Sequence, residues 1–220
     1  RRPAPQPDGV RAAARALERW GPWGLLFVFW AWKTSDIWRA LTSRHYAIWG
    51  VFFDTMNMVW MSWWTDVAMH SSEGLFETTY VNFPDGGATA LSQSLAWTHV
   101  VLAGLLRGVV GGLAAHNLLA VLGLGLSLTA VFLLLRHLSG ERWMAALLTL
   151  LMVTYGLCWG QTLPDLELAS FGYFGFALLA WLRYAEDGGR GRLTLAALLV
   201  GWTGFVQMYY GLSLLSLLGM

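Results

Sequence analysis

The stretch that decides the fold class is Leu113–Leu135, LAAHNLLAVLGLGLSLTAVFLLL, a run without a formally charged side chain. A helix of about 20 apolar residues crosses a hydrocarbon core of about 30 Å, so this run is long enough to span a membrane. The rest of the chain is similar, because apolar residues make up 56% and charged residues 12%. Soluble domains carry about 25% charged residues. We therefore expect an all-α fold, a polytopic helical membrane bundle.

Four further apolar segments are predicted to cross the membrane, which gives five spanning helices in all. They are Leu17–Trp38, Trp143–Trp159, Leu168–Leu182 and Leu193–Leu218. The apolar segment Leu91–Val110 is interrupted by His99 and Arg107, and the charge distribution decides its path. If it does not cross, the cytoplasmic loops collect most of the arginines, as the positive-inside rule prefers. These loop arginines are Arg136, Arg142, Arg183, Arg190 and Arg192.

This topology divides the chain into three parts. Residues 1–16 are a cytoplasmic N-terminal tail, and residues 17–220 are the transmembrane domain. Within that domain, residues 39–112 form a large first extracytoplasmic loop that bears interfacial helices. Because the chain begins at Arg1 without a methionine and stops at Met220 inside an apolar run, we expect it to be the N-terminal part of a larger protein.

The predicted outer loop contains an amphipathic helix that is rich in tryptophan. One face collects the bulky apolar side chains Phe53, Met56, Trp60, Trp63, Trp64 and Val67, and the opposite face collects Asp54, Asn57, Ser62 and Thr65. We expect the tryptophan face to meet lipid headgroups or neighbouring helices and the carboxylate face to meet water. A carboxylate that is partly shielded from water can act as a general base, and Asp54 is the candidate.

Several other patterns have a structural interpretation. Asp66, His70 and Glu73 recur at i, i+4 and i+7, which could offer three metal ligands but also suits a solvated helical face. Gly123 with Ser127, and Gly201 with Gly204, are typical of close helix packing. The single cysteine, Cys158, excludes an intrachain disulfide. The net charge of +1 gives no reason to expect a nucleic-acid partner.

Short motifs follow one another in a recognisable order between about residues 50 and 211. They are Asp54-Thr55-Met56-Asn57, the tryptophan-rich Trp60–Trp64, Leu75-Phe76-Glu77-Thr78, Phe83-Pro84-Asp85-Gly86-Gly87, His116-Asn117-Leu118-Leu119 and Gln207-Met208-Tyr209-Tyr210-Gly211. Their order and spacing resemble the start of bacterial GT-C-type integral membrane glycosyltransferases. That superfamily includes the dolichyl- and polyprenyl-phosphate-sugar mannosyltransferases.

The resemblance implies a membrane enzyme of the bacterial inner membrane, multi-pass, with a cytoplasmic N-terminus. Such an enzyme moves a sugar from a polyprenyl-phosphate donor to an extracytoplasmic acceptor. Asp54 matches the catalytic carboxylate of the family's first outer loop, as general base or as ligand of a divalent cation, with Asn57 orienting it. A second acidic position falls on Asp165 or Glu167. The Gly-His-x-Gln expected before it is reduced to Gly160-Gln161, and acidic residues there also suit a helix start.

Candidates for substrate binding complete this interpretation. Arg107 or His99 would bind the phosphate of the lipid-linked donor, since a cation near the interface suits that role. Interfacial snorkelling is the alternative explanation for Arg107. Trp60, Tyr209 and Tyr210 are the aromatic candidates.

A non-enzymatic function remains the competing hypothesis. A lipid-linked-glycan transporter or an assembly subunit could use the same scaffold, with membrane lipid as its surroundings. A transporter should carry charged side chains inside its spans, facing a pathway. The apolar segments carry almost none away from their ends, which favours the enzyme.

Overall fold

The fold is described from a computed structural model, which covers residues 8–43, 52–71, 77–78, 87–88, 97–159, 166–206 and 208–219. Its helices are α1 (Asp8–Lys33), α2 (Ser35–Ser43), α3 (Phe52–Met69), α4 (Trp97–Val110), α5 (Gly112–Ser139), α6 (Arg142–Trp159), α7 (Leu166–Asp187), α8 (Arg190–Val206) and α9 (Met208–Leu218). Two short strands, β1 (Glu77–Thr78) and β2 (Gly87–Ala88), pair antiparallel with Glu77 opposite Ala88. The predicted all-α class is confirmed for this part of the chain.

The central element is α5, which contacts α1, α2, α3, α4, α6 and α7. Its ends are fixed by Gly111 and Gly140, whose φ angles of 86° and 72° are open to glycine and strained for other residues. The helix has 28 residues, and about 1.5 Å per residue gives it a length of about 42 Å. Among the described residues, α5 is the one helix long and apolar enough to cross a membrane. A polytopic arrangement stays a prediction.

Close packing of α5 against α7 depends on small residues. A Cβ atom built on Gly172 would lie 2.9 Å from the backbone nitrogen of Ser127, so the two helices nearly touch there. The backbone N–H of Gly172 donates to the Ser127 hydroxyl at 2.9 Å. One turn further along, a Cβ on Gly175 would lie 3.0 Å from Cβ of Ala130. The prediction that Ser127 marks a close helix contact is therefore confirmed.

On its other side, α5 packs against α1 and α6 through a cluster of buried apolar side chains. The cluster contains Leu26, Leu124, Leu128, Phe132, Ala145 and Ala146. The Trp30 indole of α1 donates to the Val121 carbonyl of α5 at 2.9 Å. A Cβ on Gly125 would approach this indole nitrogen to 3.3 Å. The glycine therefore leaves room for an interhelical hydrogen bond.

Basic side chains gather at one end of α5. Gly21 of α1 packs against Trp143, which lies just after the α5–α6 turn, so the N-terminal half of α1 is at the Arg136 end of α5. Arg183 of α7 shares a cavity with Arg136. At the opposite end, the Arg107 guanidinium lies beside Gly112. From Gly112 to Arg136 the rise along α5 is about 36 Å, more than the thickness of a hydrocarbon core.

Two of the predicted spans are each divided into two helices in the structure. The predicted helix Leu17–Trp38 begins earlier, at Asp8, and is interrupted at Thr34, after which α2 begins. The Thr34 hydroxyl donates to the Trp30 carbonyl at 2.7 Å and accepts from the Trp38 indole at 3.0 Å, which holds the interruption in place.

The prediction of one straight helix over Leu193–Leu218 is wrong. A Cβ on Gly204 would lie 3.7 Å from Cα of Gly211. In a straight helix those positions would be about 10 Å apart. The chain therefore bends sharply between α8 and α9, and Gly204 forms a small-residue contact with Gly211. Gly201, the predicted partner of Gly204, has open space around it.

Candidate functional site

The C-terminal half of α3 is buried against α4 on the face that the sequence assigned to water. Ser62 and Thr65 are 1% and 2% exposed, and a Cβ on Gly104 of α4 would lie 3.1 Å from Cβ of Thr65. Burial is inexpensive here because the Thr65 hydroxyl donates to the Met61 carbonyl at 2.9 Å within its own helix. The predicted water-facing polar face is therefore wrong for these two residues.

Trp64 anchors the same contact between the two helices. It is fully buried and clusters with Met61, Ala68 and Val100. Trp60 stacks on it, with ring centroids 6.2 Å apart and planes inclined by 7°. The sequence left two possible surroundings for the tryptophan face, lipid headgroups or neighbouring helices. The buried Trp64 packs against a neighbouring helix, α4. Trp60 itself is half-buried.

At the end of this contact, Asp66 pairs with two basic side chains. Its carboxylate lies 3.4 Å from Arg107 Nε and 3.5 Å from His70 Nδ1. The side chains of Asp66 and Arg107 are 33% and 30% exposed, so solvent screens their attraction. A guanidinium has five N–H donors, and the single contact through Nε leaves others for a further ligand.

A second polar contact joins α4 to α5 in the interior. His99 Nε2 and His116 Nδ1 lie 3.3 Å apart, and one ring donates the hydrogen that the other accepts. Their ring centroids are 5.1 Å apart in an edge-on arrangement. Burial, as the larger cause, and the neighbouring His116 together lower the pKa of His99 from 6.5 to about 3. With that pKa the imidazole is neutral at physiological pH, and binding of the donor phosphate by His99 stays a prediction.

The predicted catalytic pair lies at the other end of α3. Asp54 is the third residue of the helix and Asn57 the sixth, and their side chains are outside what the structure describes. From residue 54 to residue 66 the helix rises about 18 Å at about 1.5 Å per residue. Since the Arg107 guanidinium lies beside Asp66, the structure does not bring Arg107 next to Asp54.

The remaining predicted site residues lie elsewhere in the bundle. Glu167 is the second residue of α7, and Tyr209 and Tyr210 are in the first turn of α9; only their backbone is described. Asp165 falls outside the described residues.

No metal centre emerges from the side chains that the structure covers. They include no group of three His, Cys, Asp or Glu residues close enough to hold an ion. Of the three sequence positions considered as ligands, Asp66 and His70 pair with each other, and Glu73 is outside the described residues. A cation at Asp54 stays a prediction.

Sequence reasoning gave His116 no role, although the structure pairs it with His99. The two histidines are 17 positions apart, on helices separated by Gly111, whose φ is positive. The available signal was that each is a polar residue inside an apolar run. Periodicity along one helix cannot connect them across the turn.

No protein-family model, curated protein or solved structure matches this chain. The class that the described residues define is a helical protein, and one of their helices is long and apolar enough to cross a membrane.

Proposed function

We propose that this chain is part of a membrane glycosyltransferase that moves a sugar from a polyprenyl-phosphate donor to an extracytoplasmic acceptor. The observation that carries the proposal is the charge distribution about α5. Arg136 and Arg183 share a cavity at one end of that helix, and the α3–α4 pair packs near the other. The positive-inside rule then assigns the arginine-rich end to the cytoplasm and the helix bearing Asp54 to the opposite side. This is the side on which the resembled family transfers its sugars.

In the proposed reaction, Asp54 is the general base. Its carboxylate removes the proton from the acceptor hydroxyl while that oxygen attacks the anomeric carbon of the sugar. The new glycosidic bond forms as the bond from the anomeric carbon to the phosphate oxygen breaks. Polyprenyl phosphate leaves with the bonding electron pair, and the anomeric configuration inverts. Asn57, one turn further along α3, would orient the carboxylate.

The packing of the C-terminal half of α3 against α4 supports the catalytic role of Asp54 at the other end of the helix. Trp64 and Thr65 fix the helix to α4, so Asp54 is carried on an element whose position is set by buried contacts. Sites built on packed helices hold their geometry more closely than sites on loops.

Asp54→Asn tests the proposal in the full-length protein with a polyprenyl-phosphate sugar as donor. General-base assistance contributes typically about 10²–10⁴-fold, so turnover should fall by that range. The matched control is Asp66→Asn, which changes the same group on the same helix, about 18 Å away. It should retain turnover. A divalent cation at Asp54 would be recognised by loss of activity with a chelator.

Two outcomes would contradict the catalytic role of Asp54. The first is normal turnover in Asp54→Asn with a stability loss of about 1 kcal/mol, as expected for an acidic residue that only stabilises a helix start. The second is an equal loss of turnover in both variants, which would indicate a general defect of α3.

A second candidate function follows from the separation of Arg107 and Asp54. If Arg107 binds the donor phosphate beside Asp66, that phosphate is bound about 18 Å along α3 from the position of Asp54. That geometry favours a non-enzymatic protein, a lipid-linked-glycan transporter or an assembly subunit. It predicts that Arg107→Gln weakens binding of the polyprenyl-phosphate sugar while Asp54→Asn leaves binding unchanged and no transfer occurs in either protein.

A further inference from the structure

A basic cavity lies at the arginine-rich end of α5, away from the candidate site. It has a volume of about 320 Å³ and is lined by Leu133, Arg136, His137, Gly140 and Arg183. Arg136 and His137 belong to the last turn of α5, and Arg183 comes from α7. Within the described part of the chain, neither Arg136 nor Arg183 forms an ion pair. Among the described residues, the cavity therefore contains two guanidinium groups with no carboxylate within ion-pair distance.

The other titratable side chains that line this cavity and the apolar cavity next to it, His137 and Arg192, each have a carboxylate partner. His137 Nε2 lies 3.1 Å from a carboxylate oxygen of Glu186, although the approach is not aligned as a hydrogen bond. Arg192 forms an ion pair with Asp187. A basic residue in the last turn of α5 is favoured by the helix dipole, which accounts for Arg136 alone. It does not account for a second arginine that converges on the same cavity from another helix.

An apolar cavity adjoins the basic one and shares two of its residues. It has a volume of about 300 Å³, and Leu133 and Arg183 line both spaces. Most of its remaining wall is hydrocarbon, from Phe176, Leu179, Ala180, Leu195 and Leu199. A cationic compartment beside an apolar one matches a ligand with an anionic head and a hydrocarbon tail.

We propose that these adjacent cavities bind one anionic phospholipid. The phosphate would sit between Arg136 and Arg183, whose planar guanidinium groups can donate two parallel hydrogen bonds each to phosphate oxygens. An acyl chain would follow the apolar cavity between α7 and α8. Basic pockets between membrane helices on the cytoplasmic side are known positions for acidic lipid headgroups. The proposal is independent of any chemistry at Asp54.

The test is native mass spectrometry of the full-length protein in a neutral detergent, titrated with phosphatidylglycerol and separately with phosphatidylcholine. Phosphatidylglycerol should bind with saturation and phosphatidylcholine should not. Arg136→Gln and Arg183→Gln should each weaken phosphatidylglycerol binding about tenfold or more, because hydrogen bonds to charged groups are the stronger class. The matched control is Arg190→Gln, which removes an exposed arginine from the same end of the molecule that lines neither cavity. It should bind as the unchanged protein does.

A further variant separates a phospholipid from a free phosphate ion. Ala180→Phe would place a ring in the apolar cavity and leave the arginines unchanged. For a phospholipid, this variant loses phosphatidylglycerol but keeps any affinity for inorganic phosphate. If it binds phosphatidylglycerol normally and inorganic phosphate competes fully, the site recognises phosphate alone and the proposal is wrong.

Two other results would also overturn it. One is equal binding of phosphatidylglycerol and phosphatidylcholine, and the other is an equal loss in the Arg190→Gln control. Thermal unfolding of every variant shows whether a loss of binding comes from misfolding. A variant that melts with the unchanged protein and still loses only phosphatidylglycerol supports the assignment.

Discussion

The close contact of α7 with α5 at Gly172 predicts that alanine destabilises the protein there, whereas alanine at the uncrowded Gly201 should stabilise it. In Gly172→Ala, the new methyl group would lie 2.9 Å from backbone atoms of Leu126 and Ser127, which cannot rotate away. Overpacking of this kind costs typically about 1–3 kcal/mol. If the helices separate, the hydrogen bond from Gly172 to Ser127 is lost as well, at about 0.5–1.5 kcal/mol. The higher helix propensity of alanine offsets about 0.5–1 kcal/mol of this loss in the free energy of unfolding.

The balance is a net loss of about 0.5–4 kcal/mol in the free energy of unfolding, as estimated from those contributions. For a chain of this size, about 2–4 °C per kcal/mol lowers the melting temperature by roughly 1–16 °C. Gly201→Ala is the control, because this exposed glycine of α8 has nothing within 4 Å of the new methyl group. It should gain about 0.5–1 kcal/mol from propensity.

Thermal unfolding in one detergent, followed by circular dichroism, compares the two variants directly. The expected order is Gly201→Ala highest, the unchanged protein next and Gly172→Ala lowest. If Gly172→Ala melted together with Gly201→Ala, α5 and α7 would not approach each other as described. Ser127→Ala helps to separate the two contributions, because it removes the hydrogen bond from Gly172 without adding a methyl group at residue 172.

Three further predictions concern topology, the surface ion pair and the buried histidines. In a Cys158→Ser background, a cysteine at Ser139 should resist an impermeant thiol reagent in intact cells and one at Ser71 should react; the reverse pattern would invert the proposed orientation. A double-mutant cycle of Asp66→Asn and Arg107→Gln should give an interaction of no more than about 1 kcal/mol, because both side chains are about a third exposed, and a much larger value would mean that the pair is shielded from solvent. Because the pKa of His99 is lowered to about 3 in the folded protein, the unfolded chain binds more protons below pH 6.5. The contribution of His99 to the free energy of unfolding should therefore be fully present above pH 6.5. It should be lost as the pH falls towards 3, at up to about 1.4 kcal/mol per pH unit. Between pH 6.5 and pH 3, the melting temperature of His99→Gln should fall less than that of the unchanged protein. Equal falls would refute a lowered pKa for His99.

The sequence was informative where one helix determines its own properties. The uncharged run Leu113–Leu135 predicted α5, and Gly111 and Gly140 account for its final bounds. Ser127 could be recognised because small residues within an apolar helix indicate close packing. The same reasoning failed for Gly201, because it cannot tell which face of a helix meets a neighbour.

Properties that depend on two helices could not be predicted. A helical projection sorts Ser62 and Thr65 by polarity alone, whereas their small size lets Gly104 of α4 approach them. The sharp bend between α8 and α9 brings Gly204 into contact with Gly211. Hydropathy cannot predict this bend, because the segment is apolar on both sides of it. The cavity between Arg136 and Arg183 likewise exists only once α5 and α7 are packed together.

The order in which the helices contact one another constrains how the protein is made. Among the described contacts, α1 packs mainly on α6, and the α1–α2 and α3–α4 pairs are joined chiefly through α5. At about 5–20 residues per second, a ribosome needs roughly 6–25 s to extend the chain from Lys33 to Trp159. For that time α1 lacks α6, its main partner, and the side chains that it buries in the shared cluster, such as Leu26, must be held in part by lipid or by the insertion machinery. Slower elongation between α1 and α6 would lengthen this vulnerable interval and expose the nascent chain to degradation before the bundle can close.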